Sequence, residues 1–146
     1  MKVLIIDDHP LMIKTLEIKM RKEGYDVISC TDGRDALSKL EIELPDVVIT
    51  EVMLPSCTDF EVISAAKKLN YNAIVVVVSV IGVEKIITEA FELGADDYIT
   101  KPVNLNLLAV RIRRLLKNKH QMELLAKSIP AANRKKVLMQ LAELEK

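Results

Sequence analysis

The sequence predicts an α/β protein built on a parallel sheet with helices over both faces. Short apolar, β-branched runs alternate five times with segments of helical period. The runs at Val3, Val47 and Val75 are nearly continuous rather than alternating, as strands buried on both faces must be. Four of the five runs end in, or are followed by, a chemically competent side chain, which puts those groups on one edge of the sheet.

Each element has its own sequence reason. Val3–Asp7 is the first strand, and Asp7 and Asp8 close it. In the helix that follows, Leu11, Leu16 and Met20 are expected to share a face, and Gly24 ends it. Asp26–Cys30 is the second strand; Asp32-Gly33 then turns into a helix carrying Ala36, Leu37 and Leu40. Asp46–Thr50 is the third strand, with Glu51 directly after it. Phe60, Val62, Ile63 and Ala66 mark the third helix. Ile74–Ser79 is the fourth strand, and Val83, Ile86, Ile87, Ala90 and Phe91 mark a helix that Gly94 stops. Asp97–Thr100 is the fifth strand. Lys101-Pro102 follows it, then a helix with Leu105, Leu108, Ile112, Leu115 and Leu116.

The pattern divides the 146 residues into a sheet domain over 1–119 and a helical extension over 120–146. The extension is interrupted at Ser128-Ile129-Pro130, with Pro130 suited to a first helical position. Its stripe of Val137, Leu138, Leu141 and Leu144 reads as a packing or dimer surface, or as the opening of an output region.

Composition narrows the function classes. Half the residues are hydrophobic and only 3% aromatic, so the core is aliphatic. Basic and acidic residues balance at 21 each, so no overall charge draws the chain to nucleic acid or an anionic membrane. Cys30 and Cys57 lack CxxC spacing and read as thiols of a reducing cytosol. The N-terminal run is too short and mixed for a signal peptide, and no run approaches the ~20 residues of a membrane span. A cytoplasmic protein is expected.

Asp7, Asp8, Glu51, Ser79 and Lys101 thus converge on one sheet edge. Mg²⁺ prefers hard oxygen donors, and phosphoryl transfer needs positioning and positive charge more than covalent chemistry. The set suits a divalent cation and a phosphoryl group. No nucleophile elbow, Gly-rich phosphate loop or Cys/His pair suggests an enzyme.

From Met1 to about Lys119 the chain resembles the receiver domain of two-component response regulators. The resemblance rests on Ile5-Ile6-Asp7-Asp8, on Pro45 through Pro55, on Ser79, and on Gly94-Ala95-Asp96-Asp97-Tyr98-Ile99-Thr100-Lys101-Pro102. It implies a flavodoxin-like (βα)5 three-layer sandwich with strand order 2-1-3-4-5. Asp7 and Asp8 match the acids that hold Mg²⁺, with Glu51 and the backbone carbonyl of Met53 as further metal ligands. Glu51 stands at the phospho-acceptor position, Ser79 at the switch hydroxyl, Lys101 at the phosphate-pairing lysine and Tyr98 at the switch aromatic. A cis Lys101-Pro102 bond is also implied. The implied partners are a histidine kinase or phosphotransfer protein and a downstream effector, with a homodimer as a further option; neither nucleic acid nor membrane is a direct partner. The implied output face is formed by helix 4, strand 5 and helix 5.

Three departures surround that pocket. The family's acceptor is aspartate, and Glu51 is longer by one methylene, about 1.5 Å. Val80 follows Ser79 where the family usually has a small residue, and Ser56-Cys57-Thr58-Asp59 replaces a glycine-containing loop. Two readings follow. In the first, the chain is a signalling switch in which Glu51 imitates the phosphorylated state or makes phosphorylation unnecessary. In the second, it is a constitutive scaffold with a relic pocket. His9 reads as a loop residue, lacking a metal-ligand partner. The basic residues Arg111, Arg113, Arg114, Lys117 and Lys119 read as a solvated face or a docking face for an acidic partner.

Overall fold

Alternation of apolar runs and amphipathic segments becomes alternation of strands and helices in the computed structural model, which describes residues 1–56 and 60–144. The order is β1 (Lys2–Ile6), α1 (Pro10–Lys22), β2 (Asp26–Cys30), α2 (Gly33–Glu43), β3 (Val47–Thr50), α3 (Glu61–Leu69), β4 (Ile74–Ser79), α4 (Glu84–Glu92), β5 (Asp97–Thr100), α5 (Leu105–Lys127) and α6 (Ala131–Leu144). The strands form one parallel sheet in the order β2-β1-β3-β4-β5. This is the flavodoxin-like arrangement expected. β1 and β3 each differ from the expected spans by one residue, so Asp7 lies just past its strand.

Burial follows position in the sheet. Val3 to Ile6, all of β3 and all of β4 are buried, whereas the edge strand β2 is mostly half-buried. Helices on both faces supply the cover. Asp32 caps α2 by accepting the Asp35 amide at 2.8 Å, an interaction worth about 1 kcal/mol. In α1 the buried stripe is Ile13, Leu16 and Met20, at helical spacings of three and four. Leu11 was expected in that stripe but is 77% exposed, because it lies one position off its register. Cys30 is a free, buried thiol; burial pushes its pKa up to about 11, with Lys39 partly opposing, so it stays protonated at neutral pH.

Gly94 must be glycine. Its φ is +116°, and an added Cβ would lie 2.8 Å from Cγ of Lys67. The Lys67 stem fills that space, and its Nζ donates to the Ala73 carbonyl at 2.6 Å and to Asp96 Oδ2 at 2.8 Å. One lysine on α3 thereby joins the starts of β4 and β5.

Two larger residues also hold left-handed backbone. Phe60 has φ 68° but is buried in the core, which offsets the strain. Leu44 has φ 43° and is 55% exposed, so little offsets it. Left-handed backbone costs a non-glycine residue roughly 1–2 kcal/mol. Leu44→Gly is therefore expected to stabilise the fold by about 0.5–1 kcal/mol after glycine's entropic penalty. Urea unfolding checks this, and a loss of stability contradicts it.

Two compact units are present, Met1–Ile112 and Arg113–Lys146. The first contains the whole sheet. The second contains the later part of α5 and α6, joined through Ser128-Ile129-Pro130 as expected. The amides of Ser128 and Ile129 bond back to Leu125 and Ala126 carbonyls, each at 3.2 Å, ending α5. Pro130 sits one residue before α6 rather than at its first position, within the usual spread of helix boundaries. Val137, Leu138 and Leu141 are half-buried and Leu144 is exposed. Among the described residues no helix is long and apolar enough to cross a membrane.

Candidate functional site

The sheet's hydrogen-bond ladder runs one residue past the strand ends and fixes the site there. The Asp7 amide donates to the Cys30 carbonyl at 3.2 Å, the Glu51 amide to Ile6 at 3.0 Å, and the Lys101 amide to Ser79 at 2.8 Å. Each of these three candidate residues is thus tethered to the neighbouring strand. The Lys101-Pro102 bond is cis, as expected.

Two carboxylates and one ammonium meet above these tethers. Lys101 Nζ lies 2.7 Å from Asp7 Oδ2 and 3.2 Å from Glu51 Oε2. Asp7 is 1% exposed and Glu51 is 7% exposed, so the cluster is nearly dry. Burial alone would lower the lysine pKa. The hydrogen bond and charge of Asp7, then those of Glu51, outweigh it and hold the ammonium above its ordinary value. Asp8 and the Met53 side chain are exposed.

The other carboxylate oxygens take backbone amides. Asp7 Oδ1 accepts from His9 at 2.9 Å, and Glu51 Oε1 accepts from Val52 at 2.9 Å. Thr50 Oγ1 donates to the Glu51 carbonyl at 2.8 Å. The peptide after Glu51 is therefore held from both sides, by Thr50 at its oxygen and by the Glu51 carboxylate at its nitrogen. Asp97 makes a similar fold-back with one methylene fewer, its Oδ1 accepting the Tyr98 amide at 2.8 Å and its Oδ2 lying 3.4 Å from Arg111 Nη1.

Ser79 and Tyr98 meet at one residue of the loop after β4. Ser79 is fully buried, and its Oγ accepts the Ile81 amide at 3.1 Å. Tyr98 is 9% exposed and donates its hydroxyl to the Ile81 carbonyl at 2.6 Å. Ile81 is thus gripped at both ends of its backbone. Burial raises the Tyr98 phenol above its ordinary pKa, the Ser79 hydroxyl opposes that, and the Glu51 charge adds to it. The ring is turned inward. Val80, in the same loop, is 72% exposed. Tyr98→Phe is expected to cost about 1 kcal/mol in urea unfolding, the net value of one such hydrogen bond. An unchanged midpoint contradicts the Ile81 contact.

Sequence reasoning missed Thr50, Val52, His9 and Ile81 as partners. Three act through backbone atoms, which no side-chain pattern signals. Thr50 alone carries a signal, a hydroxyl inside an otherwise aliphatic strand. The loop at Ser56-Cys57-Thr58-Asp59 extends beyond the described residues at Cys57, Thr58 and Asp59.

Among the described residues no three His, Cys, Asp or Glu side chains form a group that could hold a metal ion. Mg²⁺ requires less, one or two carboxylates with waters making up the rest. Asp7 and Glu51 are hard donors, and a carboxylate oxygen that accepts one hydrogen bond keeps a second lone pair. The donor chemistry therefore fits Mg²⁺, with Lys101 already lying as a cation between the two acids.

The model of the response regulator receiver domain matches residues 3–113. The alkaline phosphatase synthesis transcriptional regulatory protein PhoP of Bacillus subtilis is 34% identical over 118 residues, 80% of this chain and 48% of PhoP. The probable transcriptional regulator ycf27 of Guillardia theta is 38% identical over 116 residues, 80% of this chain and 45% of ycf27. The chain thus spans about half the length of these relatives. The CheY-like receiver domain of Methanospirillum hungatei matches at TM-score 0.78 and 26% identity, covering 82% of this chain and 96% of that one.

Proposed function

The chain belongs to the family of response regulator receiver domains, and from that premise we propose that it is a signalling switch whose setting does not depend on a phosphoryl group. The observation that carries the reading is the reach of Glu51 to Lys101, 3.2 Å across a buried pocket. A charge that a phosphoryl group would otherwise bring is already paired with the lysine. Imitation is partial, since a phosphoryl group carries more charge and three acceptor oxygens.

The roles follow from the contacts. Lys101 neutralises Asp7 and Glu51. Thr50 and the Val52 amide orient Glu51. Ser79 and Tyr98 hold the loop at Ile81, and that loop leads into α4, part of the face proposed to meet a downstream effector. Receiver domains generally interact with histidine kinases, phosphotransfer proteins and effectors, and generally bind Mg²⁺ at the acidic pocket. Here Asp7, Asp8, Glu51 and the Met53 carbonyl would hold Mg²⁺, which when bound supplies positive charge against phosphoryl oxygens. The module acts through contact rather than as an enzyme.

One observation favours the scaffold reading: all four carboxylate oxygens of Asp7 and Glu51 already have donors. Mg²⁺ titration separates the two. Binding at millimolar concentration or tighter, lost in Asp7→Asn, supports a working pocket; no binding supports a relic.

The switch reading is tested by amide NMR shifts from Ser79 to Val83 and at Tyr98. Glu51→Gln is expected to move them, and acetyl phosphate added after Mg²⁺ is expected to leave the Mg²⁺-containing spectrum in place. A native spectrum that responds to acetyl phosphate overturns the reading.

A further inference from the structure

The receiver-domain match ends at residue 113, and the unit that follows differs from the first in charge. Arg113–Lys146 carries nine Lys and Arg against three Asp and Glu, six positive net; Met1–Ile112 carries the other twelve against eighteen, six negative net. Seven basic residues of the first unit form ion pairs, all within it, among them Arg111 with Asp97 at 3.4 Å. In the second, Arg114, Lys117, Lys127, Lys135 and Lys136 are exposed and pair with no described acid. Cations one helical turn apart, such as Arg114 and Lys117, repel, and nothing described in their own unit offsets that repulsion.

Within this unit α5 has two opposed faces. Leu115 and Met122 are half-buried and Ala126 is buried on one of them. Arg114, Lys117, Gln121, Leu124 and Leu125 lie on the other, inside an arc of about 100°, since each residue turns a helix by about that angle. All five are exposed, Leu124 by 52% and Leu125 by 61%. The helix packs through its covered face without these two leucines, which leaves adjacent apolar area in solvent. The exposed face is also ordered along its length. Its cations come first, and the leucines follow about 10 Å further on, at about 1.5 Å per residue.

That order selects the partner. A bilayer surface calls for cations and apolar groups on opposite faces of a helix, not in succession along one face. A phosphate backbone gives the leucines no partner, and the unit has no aromatic ring for base stacking. An amphipathic helix of another protein satisfies both halves, with acids over Arg114 and Lys117 and apolar side chains over Leu124 and Leu125. Such a helix presents its anchors at spacings of three and four residues, as this face of α5 does. We propose that this face binds an acidic, amphipathic helix of a partner protein. The site goes beyond the switch in the sheet domain and does not rest on the state of Glu51.

Fluorescence anisotropy of a labelled synthetic helix with the full chain tests it. The probe is about 18 residues, or about five turns, with glutamates on one face of its first half and leucines on the same face of its second half. A scrambled peptide of the same composition is the control. At about 0.01 M salt the ordered probe is expected to bind about tenfold tighter than the scrambled one, and to weaken about tenfold or more at about 1 M salt. Arg114→Glu with Lys117→Glu, and Leu124→Ser with Leu125→Ser, are each expected to weaken binding about tenfold or more while far-UV dichroism is unchanged. A probe with lysines in place of its glutamates is expected to bind the first variant, which also shows that the variant is folded. Absence of binding overturns the proposal, as does equal binding of the two peptides or native-like binding by the leucine variant. So does tighter binding of duplex DNA or phosphatidylglycerol vesicles than of the probe. A native chain that is dimeric, and monomeric in the leucine variant, overturns it too, because a second copy then covers the face.

Discussion

Replacing Glu51 by aspartate is expected to turn the chain into a phosphoryl acceptor. Incubated with acetyl phosphate and Mg²⁺, Glu51→Asp should gain one phosphoryl group at least a hundredfold faster than the native chain. The reason is positional. A displacement of about 1 Å at a reacting centre can cost around a hundredfold, and the extra methylene of glutamate exceeds that. Two native contacts add to the effect, because Glu51 Oε1 is held by the Val52 amide and Oε2 by Lys101. Aspartate draws the carboxylate back toward the backbone by about 1.5 Å, which lengthens the contact with Lys101 and frees the lysine for the incoming group. The other pocket residues are in place: Asp7 beside the lysine, and Ser79 at the end of β4. Equal rates for the two proteins would mean that the pocket fails for reasons other than Glu51.

Lys101→Met should destabilise the fold by roughly 3–5 kcal/mol at neutral pH. Removing one member of a buried ionic cluster leaves the others as uncompensated charge. Here two carboxylates, 1% and 7% exposed, would share a site with no cation between them. The effect has a pH signature. Lys101 has its folded pKa raised, so its contribution is whole below about pH 10, the unfolded value, and is lost as pH climbs through the folded value. The native chain should therefore lose stability in that alkaline range, and the variant should lack the part due to Lys101. Tyr98, also raised, weakens both proteins in the same direction and provides an internal reference. Urea unfolding across pH measures this. A loss below about 1 kcal/mol at neutral pH would show that the cluster is solvated and unimportant to the fold.

Much of the fold was legible because the physics is local. Two-sided burial demands unbroken apolar runs, and Val3, Val47 and Val75 mark the three central strands. Gly24 and Gly94 mark helix ends by their positive φ. Leu11 shows the limit: any leucine in a short helix fits some periodic template, and only packing reveals that Ile13 takes the buried place. The meeting of Asp7, Glu51 and Lys101 was legible from their positions after strands. The fold-back of Glu51 onto Val52, the Thr50 hydroxyl bond and the double grip on Ile81 were not, since each depends on backbone atoms and rotamers. Nor did whole-chain neutrality reveal opposite charges in the two units, because a sum discards position.

The measurement that bears most directly on the switch is the intact mass of the native chain after acetyl phosphate and Mg²⁺. An unchanged mass is predicted, because Glu51 is already committed to Lys101 and the Val52 amide. Stoichiometric gain of a phosphoryl group on Glu51 would contradict the account and return the chain to ordinary phosphorelay.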